Sequence, residues 1–331
     1  TQGAIGEHIY TSPERIDIQQ RIEAVYYGYE SNGTQRTYSS PDRWFNVRFT
    51  QSLNDLENAG VTDFVTIRFN NTPSYGRPGG ESSEIDLGNE RLTGTADVQV
   101  NGLLGGIEVP TAANQDFTEQ LPEDAEQAVG QDKPPAISEN FVALSAKIAA
   151  HELGHLLGLR HYDAFGPVGF GIHSPPGVAE FKPQYQGTSA AFETFDHIIG
   201  SPASIGSTRT NDVGQLFFGE REAVKIAVSM SDSSQVRSTE SNLPMVPIQT
   251  PNGTALARAL NLATVQVPNT LARGINSTKT FYVQTVSAVG DISISNSTGK
   301  SESDLYYFAG QAGDLVTIEI VSQAMRRFTN N

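Results

Sequence analysis

HELGHLLGLRH, residues 151–161, is the stretch on which the reading of the whole chain turns. His151 and His155 are four residues apart, so on a helix their imidazoles project from one face and can hold one metal ion. Glu152 sits beside the first histidine and can reach a metal-bound water without being a ligand itself. Gly158 lets the chain leave the helix in a conformation that a Cβ disfavours. The chain then turns back and brings His161 to the same ion. Three neutral imidazoles leave a fourth position for water, the open arrangement of a catalytic zinc site rather than the closed one of a structural site. At average residue usage, five such fixed positions arise by chance in a chain of this length on the order of once in a hundred thousand. Three of the six histidines of the chain lie within this stretch.

An apolar helix leads into the motif. Ser138 can cap it, and Phe141, Leu144, Ile148, Leu153, Leu156 and Leu157 recur along it until Gly158 ends it. Far upstream, Ser12 and Pro13 read as an N-cap followed by proline at the first helical position, and Ile18, Ile22, Val25, Tyr26 and Tyr29 follow at helical spacing. Residues 43–50 and 64–70 alternate apolar and polar, as half-buried strands do, and Trp44 is expected to pack at the core or its rim. Residues 72–83 read as a Pro/Gly-rich loop, with Gly79-Gly80 and Gly105-Gly106 as turns. Residues 95–101 alternate again, with Ala96, Val98 and Val100 on one side. Residues 110–137 read as a long acidic surface loop, and 166–190 have little periodicity. Residues 219–230 look helical, with Ala223, Val224, Ala227 and Val228 on one face. Residues 231–241 read as a linker, and beyond them 280–287, 304–309 and 315–321 resemble strands.

A length of 331 residues suits two domains, and 16 Phe and 11 Tyr mark a folded chain. The 22 basic and 37 acidic residues give a net charge of −15, which argues against nucleic-acid and anionic-membrane partners. With no cysteine, disulfides, thiolate catalysis and thiolate zinc sites are excluded together. The opening Thr1-Gln2-Gly3-Ala4 has no basic stretch followed by an apolar run, so no signal peptide is expected in it, and no run of 18 apolar residues occurs. Sequons beginning at Asn32, Asn70, Asn252, Asn276 and Asn296 read as turn residues.

The pattern HExxHxxGxxH, matched at His151, Glu152, His155, Gly158 and His161, resembles the signature of the metzincin clan of zinc metallopeptidases. The resemblance implies an α+β catalytic domain: a twisted, mostly parallel sheet with long helices, then a small lower subdomain after the third histidine. It also implies a substrate cleft beside the sheet's edge strand. Residues 95–101 fall where that strand is expected, which makes Thr95, Asp97 and Gln99 the substrate-binding candidates. Metzincins place a methionine turn beneath the metal. Residues 197–202 resemble that turn, with Ile199 in the methionine position as an apolar floor; Met230, Met245 and Met325 lie elsewhere. Gly158 and Asp163 are expected in structural roles near the site, Asp163 by hydrogen bonding. Tyr162 reads as packed, and His173 and His197 as ordinary loop histidines.

Residues 276–331 resemble β-sandwich modules appended to secreted bacterial peptidases, on DLYYF at 304–308 and AGDLVT at 312–317. The expected organisation is therefore a catalytic domain over 1–232, a linker and extended connection over 233–275, and a small, truncated β region over 276–331. The expected function is a secreted, monomeric zinc endopeptidase acting on proteins or peptides, with one catalytic Zn2+ and Glu152 as general base. Glu84, Asp86 and Asn89 could hold Ca2+ through oxygen ligands, although a solvated loop is the default there. Two other classes stay open: a zinc-binding scaffold or adhesion module without catalysis, and a protein whose main role lies in the C-terminal β region.

Overall fold

The computed structural model describes residues 8–30, 32–70, 79–87, 89, 91–100, 103–104, 137–164, 198–200, 218–231, 236–268, 280–291, 299 and 303–321. Its centre is a helix with no solvent face. α3 (Ser138–Leu156), the apolar helix expected before the motif, is buried at every residue from Phe141 to Leu156. Such a helix must be covered on all sides. α1 (Ser12–Tyr27) lies against it, and a three-stranded sheet supplies further cover. Polar contacts fix the two helices in register. The Tyr10 hydroxyl meets Ser145 Oγ at 2.6 Å, Arg21 reaches Glu139 at 2.7 Å, and the Tyr26 hydroxyl donates to the Ala150 carbonyl at 2.9 Å. That last bond holds the turn immediately before His151.

α1 starts one residue earlier than the Ser12-Pro13 pattern implies. Thr11 is the N-cap, and Glu14 closes a capping box by accepting the Thr11 N–H at 2.7 Å. At the other end of α1, the amides of Trp44 and Phe45 donate to the carbonyls of Tyr27 and Tyr26, each at 3.1 Å. This explains why residues 43–50 alternate without being a strand. They are extended but join no ladder, because their N–H groups satisfy the end of a helix and Phe45 packs inward beside Tyr26 and Phe218. Trp44 packs on Gly28, where a Cβ would stand 2.3 Å from the indole.

The sheet contains β1 (Thr66–Phe69), β2 (Gly79–Ser82) and β3 (Thr95–Gln99) in the order β1-β3-β2. β3 runs parallel to β1 and antiparallel to β2. The expected mostly parallel sheet is thus a mixed one among the described residues. Ala96 and Val98 are fully inside, as their alternation requires. A short helix, α2 (Leu53–Asn58), precedes β1. α3 ends at Leu156, and Ile137 rather than Ser138 is its N-cap; the Ser138 hydroxyl donates to Glu14 at 2.6 Å instead.

After α4 (Glu220–Ser229) the chain is β-rich. β5 (Met245–Thr250) and β6 (Gly253–Ala259) form a hairpin, and β10 (Tyr306–Tyr307) adds parallel to β6. β7 (Ala263–Pro268) pairs with β8 (Thr280–Thr285), and β4 (Arg237–Thr239) with β9 (Ser287–Val289). The stretch expected as a linker, 233–275, therefore contains four strands. One of them belongs to the main core: Val265 and Val267 of β7 are buried, and β7 packs on α4. Alternation conceals this, because only about every second residue of each strand points inward. Residues 315–321, expected as a strand, are extended, exposed and without a ladder among the described residues. No described helix is long and apolar enough to cross a membrane.

Glu14 joins the two central helices as well as capping α1, since it also meets His8 Nε2 at 3.2 Å. Burial pushes its carboxyl up, but hydrogen bonds from Ser138 and Thr11, with His8 nearby, outweigh that and leave it below the ordinary 4.5. A carboxyl with a depressed native pKa stabilises the fold fully above its unfolded pKa, and that contribution is lost as pH falls through the native value. Glu14→Ala is expected to cost about 1–2 kcal/mol in denaturant titration near neutral pH. The difference between variant and wild type should shrink on acidification below 4.5.

Candidate metal centre

α3 carries the first two histidines in its last turns, and a glycine-stopped turn returns the third. Gly158 has φ 92°, in the left-handed region. The Leu159 N–H donates to the Gly154 carbonyl and the Gly158 N–H to the His155 carbonyl, each at 2.9 Å. This pair of bonds is a Schellman closure, which satisfies two terminal carbonyls and reverses the chain. A one-turn 3-10 helix, His161–Ala164, follows.

The result is a convergence of ring nitrogens. His151 Nε2 stands 3.2 Å from His155 Nε2 and 3.2 Å from His161 Nε2, and the ligand atoms all lie within 4.8 Å of one another. His151 Nδ1 donates to the Ile198 carbonyl at 2.7 Å, and His155 Nδ1 to the Leu159 carbonyl at 2.8 Å. A carbonyl only accepts, so both rings carry their proton on Nδ1 and turn bare Nε2 lone pairs toward each other. Such nitrogens repel unless a cation lies between them. Two nitrogens bound tetrahedrally at about 2.0–2.1 Å would stand about 3.3 Å apart, close to the spacing here. Burial pushes the pKa of both imidazoles down, that of His155 to about 4, and the neighbouring histidines push the same way, so both rings stay neutral and ready to ligate. The donor set therefore fits a divalent ion. Among the described residues this is the one cluster of three such groups.

Ile199 is fully buried, and its Cδ1 would stand 2.6 Å from a Cβ at Gly154, in the middle of the motif. Its turn is held from α4: the Ile199 N–H donates to Glu222 Oε1 at 3.2 Å, and Glu222 Oε2 accepts from Gly219 N–H. Glu222 was not anticipated from the sequence, although a glutamate three residues after the Gly219 N-cap is a recognisable capping signal. Asp163 is 2% exposed, accepts the Arg160 N–H at 2.7 Å and pairs with Lys225 of α4 at 2.7 Å. Burial pulls the Lys225 ammonium down to about 8 against the attraction of Asp163.

Glu152 lies under β2. Hydrogen bonds from the Ser82 backbone and hydroxyl hold its carboxyl, while burial and nearby Glu81 lift its pKa to about 8. β2 approaches so closely that a Cβ at Gly80 would stand 2.2 Å from Glu152 Oε1. Gly79 and Gly80, expected as a turn, are strand residues, and the close approach requires a glycine at Gly80.

Thr95, Asp97 and Gln99 do not form an edge. β3 is the middle strand, and Asp97 is taken by Arg68 at 2.6 and 2.8 Å. Their alternation is the same for a middle strand as for an edge strand, so pattern alone misplaced them. The edge beside Glu152 is β2. Of the residues expected to be able to hold Ca2+, Asp86 accepts the Arg91 N–H at 2.7 Å, Glu84 pairs with the Arg91 guanidinium at 3.5 Å, and the Asn89 N–H donates to the Asp86 carbonyl at 2.8 Å. The Asp86 amide instead caps the His155 carbonyl at 3.1 Å. His173 and His197 lie outside the described residues, as does the Tyr162 side chain. An open depression of about 300 Å³ lined by Asn46, Asn89, Ser229 and Arg237 shares no residue with the histidine cluster. No protein-family model, curated protein or solved structure matches the chain.

Because Glu222 fixes the turn whose carbonyl orients His151, Glu222→Ala should weaken the binding of a divalent metal ion at the three histidines roughly ten- to a hundredfold. Competition with a chromophoric chelator would measure this.

Proposed function

We propose that this protein is a zinc-dependent endopeptidase of metzincin type acting outside the cell on proteins or peptides. The observation that carries the proposal is the junction of three converging Nε2 atoms with a buried carboxyl one residue along from His151 on the same helix, beside a strand, β2, that is paired on one side only among the described residues. His151, His155 and His161 would hold the zinc, which when bound supplies Lewis acidity to a water and to a peptide carbonyl.

The chain's own residues have distinct tasks. Glu152 accepts a proton from the attacking water and delivers it to the leaving amine nitrogen. A carboxyl with its proton affinity raised toward neutrality suits a group that both takes and gives. Ser82 orients that carboxyl by hydrogen bonding. β2 has a ladder on one side only among the described residues, so its outer N–H and C=O groups can pair with an extended peptide. Gly80 keeps the peptide-binding strand and the base in contact. An acidic surface of net charge −15 and the absence of cysteine are compatible with an extracellular setting.

Casein digestion with and without chelator tests the reading. Glu152→Ala should retain one zinc per chain and lose at least a hundredfold in cleavage, the scale of a general base. Gly80→Ala should bind zinc as wild type does and lose about tenfold or more, since the new methyl displaces the base. Undiminished cleavage by Glu152→Ala would falsify the endopeptidase reading. A wild-type chain that binds zinc but cleaves nothing would favour a binding scaffold.

A further inference from the structure

The C-terminal segment reaches the candidate metal centre through the Glu319 side chain. Glu319 lies in the exposed stretch 315–321, which joins no ladder among the described residues, and its side chain is 32% exposed. Both its oxygens approach Lys225 Nζ, at 2.8 and 3.0 Å, and it also contacts the Arg160 guanidinium. Lys225 in turn pairs with Asp163 at 2.7 Å, and Asp163 accepts the backbone N–H of Arg160 at 2.7 Å. These four residues form a closed ring: Arg160, Asp163, Lys225, Glu319 and back to Arg160. The arc from Arg160 to Asp163 is the turn that carries His161.

We propose that Glu319 is a positioning residue for the metal centre, making the C-terminal β region a working part of the site rather than an appendage. This rests on the three histidines holding a metal ion. The reason is charge balance in a confined place. Lys225 and Arg221 both feel the charge of Asp163, and Arg160 and Arg221 both oppose the charge on Lys225. Glu319 supplies a second anion. Without it, the like charges of the Arg160 guanidinium and Lys225 are offset only by the Lys225–Asp163 pair, and Arg160 Nε already has no hydrogen-bond partner. The element free to relieve that repulsion is the short turn 161–164, since α3 and α4 are packed in the core. Movement of that turn moves His161 away from the other two ligands, which are fixed on α3 by carbonyls of their own.

The test uses the full chain as wild type, Glu319→Gln, Glu319→Asp, Lys225→Met and His161→Ala. Zinc affinity is read by chelator competition, ligand geometry by the visible spectrum of the cobalt(II)-loaded protein, and folding by apo-protein melting. Glu319→Gln should bind zinc about tenfold more weakly, within the range found for residues supporting a ligand. Its cobalt spectrum should be altered, and the apo melting point should change by no more than about 2 °C. Glu319→Asp, which keeps the charge, should recover part of the affinity. Lys225→Met breaks the ring at its next link and should weaken zinc binding in the same direction. Wild-type zinc affinity in both Glu319→Gln and Lys225→Met overturns the proposal. So does a weakened Glu319→Gln whose cobalt spectrum is unchanged and whose apo form melts far lower, because that is general destabilisation. His161→Ala separates the two levels: if it binds zinc as wild type does, the metal centre itself is misassigned.

Discussion

Two bare imidazole nitrogens held 3.2 Å apart form an arrangement that neutral rings avoid when nothing lies between them. In this protein the backbone enforces it. The Ile198 and Leu159 carbonyls fix the tautomers, and the Schellman closure at Gly158 brings the third ring around. The rest of the structure serves this constraint. α1, the mixed sheet and the Ile199 turn surround α3, so that two of the three ligands stand on an element with almost no freedom. The cost of holding lone pairs together is met by packing elsewhere, as is usual for preorganised sites.

The remaining polar groups at the centre follow the same logic of remote support for local chemistry. Glu222 reaches from α4 to the turn that orients His151, and Ser82 reaches from β2 to Glu152. Asp163 and Lys225 tie the third-histidine turn to α4. These supports come from α4 and β2, outside the motif, so the site is assembled by the tertiary fold rather than by the motif alone.

This division explains what was legible in the sequence. The two helical histidines, Glu152, the glycine break and the buried helix all depend on spacings of a few residues, and periodicity reads those directly. Ile199 sits in the core against Gly154. Strand order was not legible, because alternation says which face is inward but not which neighbours a strand has. Hence β3 was expected at the edge that β2 occupies. Gly80 looked like a turn because the carboxyl that requires its missing side chain is far along the chain. The strands within 233–275 were hidden in polar composition, and 43–50 looked like a strand because packing on a helix end produces the same alternation as a ladder.

The burial of α3 from Phe141 to Leu156 also bears on the order in which the centre comes apart. Amides of a helix with no solvent face exchange only in the largest openings of the protein, whereas a single 3-10 turn opens locally and often. An ion seated here would therefore lose His161 first and remain briefly on the two helical rings. Its exchange rate would follow the breathing of four residues, not the lifetime of the native state.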